Sequence, residues 1–232
     1  MIKRSNFRGC YQGDTETLAQ ALLLDASVVE QKAAAEECLT VALYRHESMV
    51  FLYMEALCET LTPEALFPHL TALLSLWPGK ADADPAKLLK PRAWVYMYPI
   101  YHHDVPETKE QWAREGKKKR RGRIAILKED KLFSYVYYHK ALVEEGLLEG
   151  DRYQFISLHE NILFSYFEEP KQFTHIKKEC MEESSVIWDW LAVNPESHFD
   201  HDLSGEENFL LIEEIYGYNS AETEKKGGQK NV

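Results

Sequence analysis

Long apolar runs are missing from this 232-residue chain. No stretch approaches the about 20 consecutive apolar residues that a membrane-spanning helix needs, so no membrane partner is expected. Met1-Ile2-Lys3-Arg4 has no apolar segment behind it. The expectation is therefore no secretory signal and a cytoplasmic location. Cysteine is sparse: Cys10, Cys38, Cys58 and Cys180 are far apart and include no C-x-x-C pair. That spacing predicts free thiols in a reducing compartment. A basic surplus is also missing. The formal net charge of −11 argues against nucleic acid as a partner, because phosphate binding needs a broad basic surface. The one basic run, Lys117-Lys118-Lys119-Arg120-Arg121-Gly122-Arg123, is short and reads as a solvated linker.

What the chain does contain is self-similarity. A shift of 113 positions lays residues 44–55 on residues 157–168. His46/His159, Glu47/Glu160, Phe51/Phe164, Tyr53/Tyr166 and Glu55/Glu168 are then identical, and Trp77 falls on Trp190. In each copy an apolar run, a polar His-Glu-Ser or His-Glu-Asn turn, and a β-branched and aromatic run predict a hairpin. The first copy's hairpin follows an Ala-, Leu- and Glu-rich helix over 15–38. The second follows a helix over about 131–148, capped by Asp130. A further helix is expected after each hairpin, opening at Thr62-Pro63-Glu64 and near Pro170. Outer strands over 7–12 and 94–101, and over 123–127 and 209–216, complete the copies.

The order β-α-β-β-α-β predicts an α+β protein: two tandem ferredoxin-like units forming an intrachain dimeric α+β barrel. Each copy's helices would cover one sheet face and the other copy would cover the opposite face. The expected boundaries are 1–104 for the first unit, 105–121 for a charged linker, 122–220 for the second unit and 221–232 for a disordered tail. Duplication in one chain makes a monomer or weak homo-oligomer sufficient.

Tyr135 and His139 are four residues apart on the second copy's first helix and share a face. A phenol beside an imidazole can donate and accept protons near neutrality. The alternative is an aromatic helix face packed on the sheet, which Tyr137 and Tyr138 support. In the first copy the same shift sets Leu22 opposite Tyr135 and Ala26 opposite His139. Those side chains move no protons, so only the second copy is expected to hold a working site.

Tyr135-Val136-Tyr137-Tyr138-His139, Ile162-Leu163-Phe164-Ser165-Tyr166-Phe167-Glu168, Trp188-Asp189-Trp190 and Glu214-Ile215-Tyr216 occur in an order that resembles the L-rhamnose mutarotase family. The resemblance covers roughly residues 123–218. It implies a dimeric α+β barrel that interconverts the anomers of rhamnose or a related monosaccharide. Tyr135 and His139 would be the catalytic pair. Trp188, Trp190 and Tyr153 would contact a small-molecule sugar, and no cofactor would be needed.

Two other readings are carried alongside it. One is a non-catalytic ligand-binding or structural α+β-barrel protein. The other is a cofactor-free monooxygenase or haem-degrading enzyme. His198-Phe199-Asp200-His201 and Tyr101-His102-His103-Asp104 have metal-like composition, but both read as loop residues, and no metal site is expected.

Overall fold

The computed structural model describes residues 2–77, 90–114, 116, 118–171, 175–177 and 184–219. Lys117, Cys180 and the expected tail lie outside them. The chain divides into two compact units. One comprises Met1–Met97, Pro106–Arg114 and Glu213–Val232, the other Tyr98–Val105 and Glu115–Ile212.

The first unit holds strand β1 (Lys3–Cys10), helix α1 (Thr15–Ala34) and the hairpin strands β2 (Cys38–His46) and β3 (Met49–Ala56). Two short helices follow, α2 (Pro63–Leu66) and α3 (Pro68–Leu73). Asp14 caps α1 by accepting from the Thr17 amide at 2.8 Å. Leu18, Ala21, Leu22 and Val29 form the buried stripe of α1, and the core it enters includes Val41 and Leu43 of β2 and Val50, Leu52 and Met54 of β3. The opposite sheet face is buried too, with Tyr44, Phe51, Tyr53 and Glu55 all at 0% exposure. The single helix expected after Pro63 is broken, because Pro68 lacks the amide needed to continue it. Buried Asp25 on α1 caps the second piece, accepting from the His69 amide at 3.0 Å and the Leu70 amide at 2.9 Å.

A long strand, β4 (Val95–His102), leads into the second unit. This unit contains β5 (Lys119–Leu127), α4 (Leu132–Glu144), β6 (Leu148–Glu149), β7 (Phe155–His159), β8 (Ile162–Glu169) and β9 (His175–Ile176). Helix α5 (Ser185–Ala192) and strand β10 (Phe199–Asp200) complete it, and strand β11 (Leu210–Asn219) starts in this unit and ends in the first. The basic run is strand from Lys119 onward, not linker. Acids opposite it on β8 make this affordable: Lys119 faces Glu169, Arg120 faces Glu168, and Arg121 Nε lies 2.9 Å from Glu169 Oε2. Asp130 sits in a 3-10 turn ahead of α4, and α4 stops short of Gly146, whose φ of 65° ends it. The helix expected near Pro170 does not open at Pro170 or Lys171, and residues 172–174 and 178–183 lie outside the described residues.

Two features recur at the 113-residue interval. Glu47 and Glu160 open their hairpin turns with φ of 52° and 56°. The Tyr53 hydroxyl donates to Glu55 at 2.6 Å, as the Tyr166 hydroxyl does to Glu168 at 2.6 Å. The tryptophan correspondence does not extend to structure: Trp77 is 47% exposed beside Arg92, whereas Trp190 is buried in α5.

The expected fold class is corrected by the strand order. Pairing runs β5-β11-β2-β3-β1-β4-β7-β8, and β8 pairs back onto β5. The eight strands thus close an antiparallel β-barrel with few helices, not two ferredoxin-like α+β units with separate sheets. The physical reason lies in β4 and β11. Val95 pairs with Arg8 on β1 while Tyr98 pairs with Leu158 on β7. Likewise Leu210 pairs with Ile124 on β5 while Glu213 pairs with Arg45 on β2. Each strand satisfies two ladders in succession, which removes the free edges a self-contained four-stranded sheet would carry. Among the described residues no helix is long and apolar enough to cross a membrane.

Candidate functional site

The second unit carries an open-sided cavity of about 280 Å³ under α4 and α5. Tyr135 and His139 of α4, Trp190 of α5, Phe199 of β10 and Phe209 supply aromatic wall, while Arg123 of β5, Gln154 and Asn208 supply polar groups. The helical spacing that puts Tyr135 and His139 on one face brings their rings into a stack, with centroids 3.9 Å apart and planes at 26°. Trp190 meets the His139 ring edge-on at 5.1 Å, and Phe199 meets Tyr135 edge-on at 5.6 Å.

Electrostatics assign the protons. His139 Nδ1 lies 3.0 Å from the Tyr135 carbonyl oxygen, to which it donates, leaving Nε2 with the lone pair. Burial is the main cause of a His139 pKa pushed down to about 4. The carbonyl hydrogen bond opposes that shift and His198 adds to it. The ring is therefore neutral across the physiological range. Burial likewise raises the Tyr135 phenol well above its ordinary value, against the pull of Arg123. Arg123 is itself driven down by burial. Its guanidinium sits 4.2 Å from the Phe209 ring centre and 5.2 Å from that of Phe167, with one long hydrogen bond from Nε to Ser165 Oγ at 3.4 Å. Asn208 Oδ1 is buried and accepts no hydrogen bond among the described residues.

Of the other expected site residues, Trp190 lines the cavity and Trp188 does not. Two residues apart on a helix, they point to opposite sides, and Trp188 is 56% exposed. Tyr153 is buried outside the cavity in the turn held by Asp151, which accepts from its amide at 2.9 Å; its neighbour Gln154 faces the cavity instead. His198 is fully buried and structural, with Nδ1 3.1 Å from the Pro195 carbonyl and Nε2 2.8 Å from Ser134 Oγ. His201 binds the Gly205 carbonyl at 3.1 Å, and His103 lies 3.7 Å from Asp104. Among the described residues no group of three His, Cys, Asp or Glu side chains could hold a metal ion.

Sequence reasoning missed Arg123, although a signal was present. Arg123, Ala125 and Leu127 alternate along β5, and the latter two enter the core. A cation on that parity faces the buried side. Asn208 and Gln154 lie in loops that carry no such signal.

The first unit has its own cavity of about 420 Å³ between α1 and the end of β11. Leu22 and Ala26, the counterparts of Tyr135 and His139, line it, and its wall is largely apolar.

No family model and no curated protein matches the chain. Among solved structures it is similar to a candidate monooxygenase of Lactobacillus acidophilus, at 6% identity and a TM-score of 0.42, over 94% of this chain and 96% of that one. It is similar to a candidate monooxygenase of Fusobacterium nucleatum at 9% identity and a TM-score of 0.38, over 94% of each chain. It is also similar to an anthrone oxidase-like protein at 10% identity and a TM-score of 0.33, over 95% and 97%. At such scores, function has to be argued from the chain's own residues.

The expected mutarotase and isomerase reading is corrected. The similar structures carry oxygenase and oxidase names. The geometry also departs from that mechanism. Ring opening needs a donor and an acceptor about a sugar's width apart, whereas Tyr135 and His139 are stacked face to face and held neutral. Trp188, the expected sugar platform, is not part of the cavity wall.

Proposed function

We propose that the second unit binds a planar aromatic molecule and catalyses its oxidation by dioxygen, as a cofactor-free monooxygenase. The observation that carries this reading is a neutral, proton-accepting His139 and a cationic Arg123 in the wall of one aromatic cavity. The space suits roughly two or three fused rings, with Trp190 and Phe209 as stacking surfaces.

A methylene flanked by aromatic rings and a carbonyl is an acidic carbon. His139 Nε2 takes one of its protons, and the electron pair left behind delocalises into the rings and the carbonyl oxygen. A base with a pKa of about 4 is weak, so the step needs the anion stabilised, which Arg123 does electrostatically. The delocalised anion reduces dioxygen directly. Carbon–oxygen bond formation and loss of water then convert CH2 and O2 to C=O and H2O, and the His139 proton is returned in the water. The aromatic wall shields one side of the anion from bulk solvent.

Oxygen uptake with anthrone as the probe tests this. The wild type consumes oxygen and forms the quinone, and His139→Ala lowers the rate by about 100-fold. Wild-type uptake no faster than that of the His139→Ala protein would sink the proposal.

A further inference from the structure

We infer that the molecule taken into this cavity is an aromatic carboxylate, whose charge is held by Arg123 with Lys171 beside it. The inference rests on the aromatic-cavity reading above and goes beyond it in substrate class.

Among the described residues Arg123 is a cation without a counter-charge. Other basic residues of its run are matched by acids, with Arg121 paired to Glu169 and Arg120 set across from Glu168. Among the described residues Arg123 makes no ion pair, and its five N–H donors have the one long bond to Ser165. Among the described residues the one acid in the cavity wall is Glu196, which is exposed at its rim. The rings of Phe167 and Phe209 offset some of the desolvation of a guanidinium, but they supply no acceptors for its Nη donors. Arg123 is partly buried rather than sealed off, and an unpaired, partly desolvated cation in a cavity wall points to an anion that arrives with the ligand.

A second cation strengthens the case. Lys171 Nζ lies 5.0 Å from the centre of the same Phe167 ring that Arg123 covers. Burial chiefly, and then repulsion from Arg123, hold Lys171 down to about 8, opposed by Asp151. Lys171 and Phe167 are not part of the cavity wall, and an anion that neutralises Arg123 in the cavity relieves the repulsion between the two cations. A carboxylate suits the site because its two oxygens match the paired N–H groups of a guanidinium, while its planar, singly charged form fits an otherwise apolar wall. Asn208 Oδ1 would repel a second anionic group and would accept a hydroxyl.

Calorimetric titration of the wild type with 2-naphthoate and with its neutral isostere 2-naphthamide tests the inference. Naphthoate should bind at least about tenfold more tightly, a gap consistent with one charge-assisted contact. Arg123→Gln should erase the preference, weakening naphthoate more than naphthamide. At pH 8, naphthoate binding should take up a proton, read from titrations in two buffers of different ionisation enthalpy. That uptake should vanish in Lys171→Met, and this variant decides the matter if Arg123→Gln fails to fold. Equal affinity for the two probes, or tighter binding of the amide, would overturn the carboxylate while leaving the aromatic cavity intact. Binding of neither probe would overturn the carboxylate, and the oxidation reading then stands or falls on oxygen uptake with anthrone alone.

Discussion

Glu55 is a fully buried carboxylate that stays ionised. It accepts from the Tyr53 hydroxyl at 2.6 Å, from Trp112 Nε1 at 2.8 Å and from both Arg114 terminal nitrogens at 2.8 Å. Burial alone would raise its pKa, but Arg114, with help from Arg4 and Tyr53, overrides burial and holds it at about 2. Because the folded value lies below the ordinary 4.5, the stability this gives is present above pH 4.5 and is lost as pH falls toward 2. Glu55→Gln should therefore cost about 3 kcal/mol at pH 7 and flatten the decline below pH 4.5. Urea unfolding at pH 7, 4 and 3 measures both, and an unchanged acid slope would discount the Glu55–Arg114 pair. His139 gives a matching kinetic expectation. The acid limb of oxygen uptake should fall near pH 4 rather than 6.5, since burial sets its pKa at about 4; a limb near 6.5 would place a different base in the reaction. At this scale the sequence was partly legible. Tyr135 and His139 were readable because helical spacing alone puts them together. Asn208 was not, because a loop residue's direction is set by tertiary packing.

The hairpins are where sequence and element agree best. A two-residue polar turn between β-branched and aromatic runs leaves the chain few alternatives, and β3 and β8 occupy equivalent positions of the repeat. The turns carry strain, however. Glu47 and Glu160 hold left-handed backbone at φ of 52° and 56°, which costs a residue with a Cβ about 1 kcal/mol. Asparagine tolerates that region better. Glu47→Asn and Glu160→Asn should each raise stability by roughly 0.5–1 kcal/mol, or about 1–4 °C in Tm for a chain of this size. Differential scanning calorimetry checks the pair, and a loss at either turn would show that the glutamate side chain offsets the strain. Helices were harder to read. Composition locates α1, but nothing local shows that Pro68 splits its segment where Asp25, remote in sequence, recaps it. The basic run also misled: with Glu168 and Glu169 opposite, strand β5 absorbs residues that look like a linker when read alone.

Across the whole chain, the repeat was visible in the sequence and the closure of the barrel was not. Strand order depends on which edges meet, and a local pattern reports only that edges exist. β4 and β11 decide it by belonging to two ladders each. This division of single strands between the two compact units has a thermodynamic consequence. Releasing β11 from β2 strips the pairing of Glu213–Asn219 and leaves Leu210–Ile212, on the same strand, holding β5 by a short ladder. Unfolding of the first unit therefore frays a strand whose other end belongs to the second, and the two should melt together. Calorimetry should show one transition, with the calorimetric enthalpy equal to the van't Hoff enthalpy. Glu55→Gln, which lies in the first unit, should lower the midpoint reported by a probe in the second, such as Trp190 fluorescence in a protein whose other tryptophans are replaced by phenylalanine. Two resolved transitions, or a Trp190 midpoint that stays fixed while the first unit melts earlier, would mean that the shared strands do not couple the units.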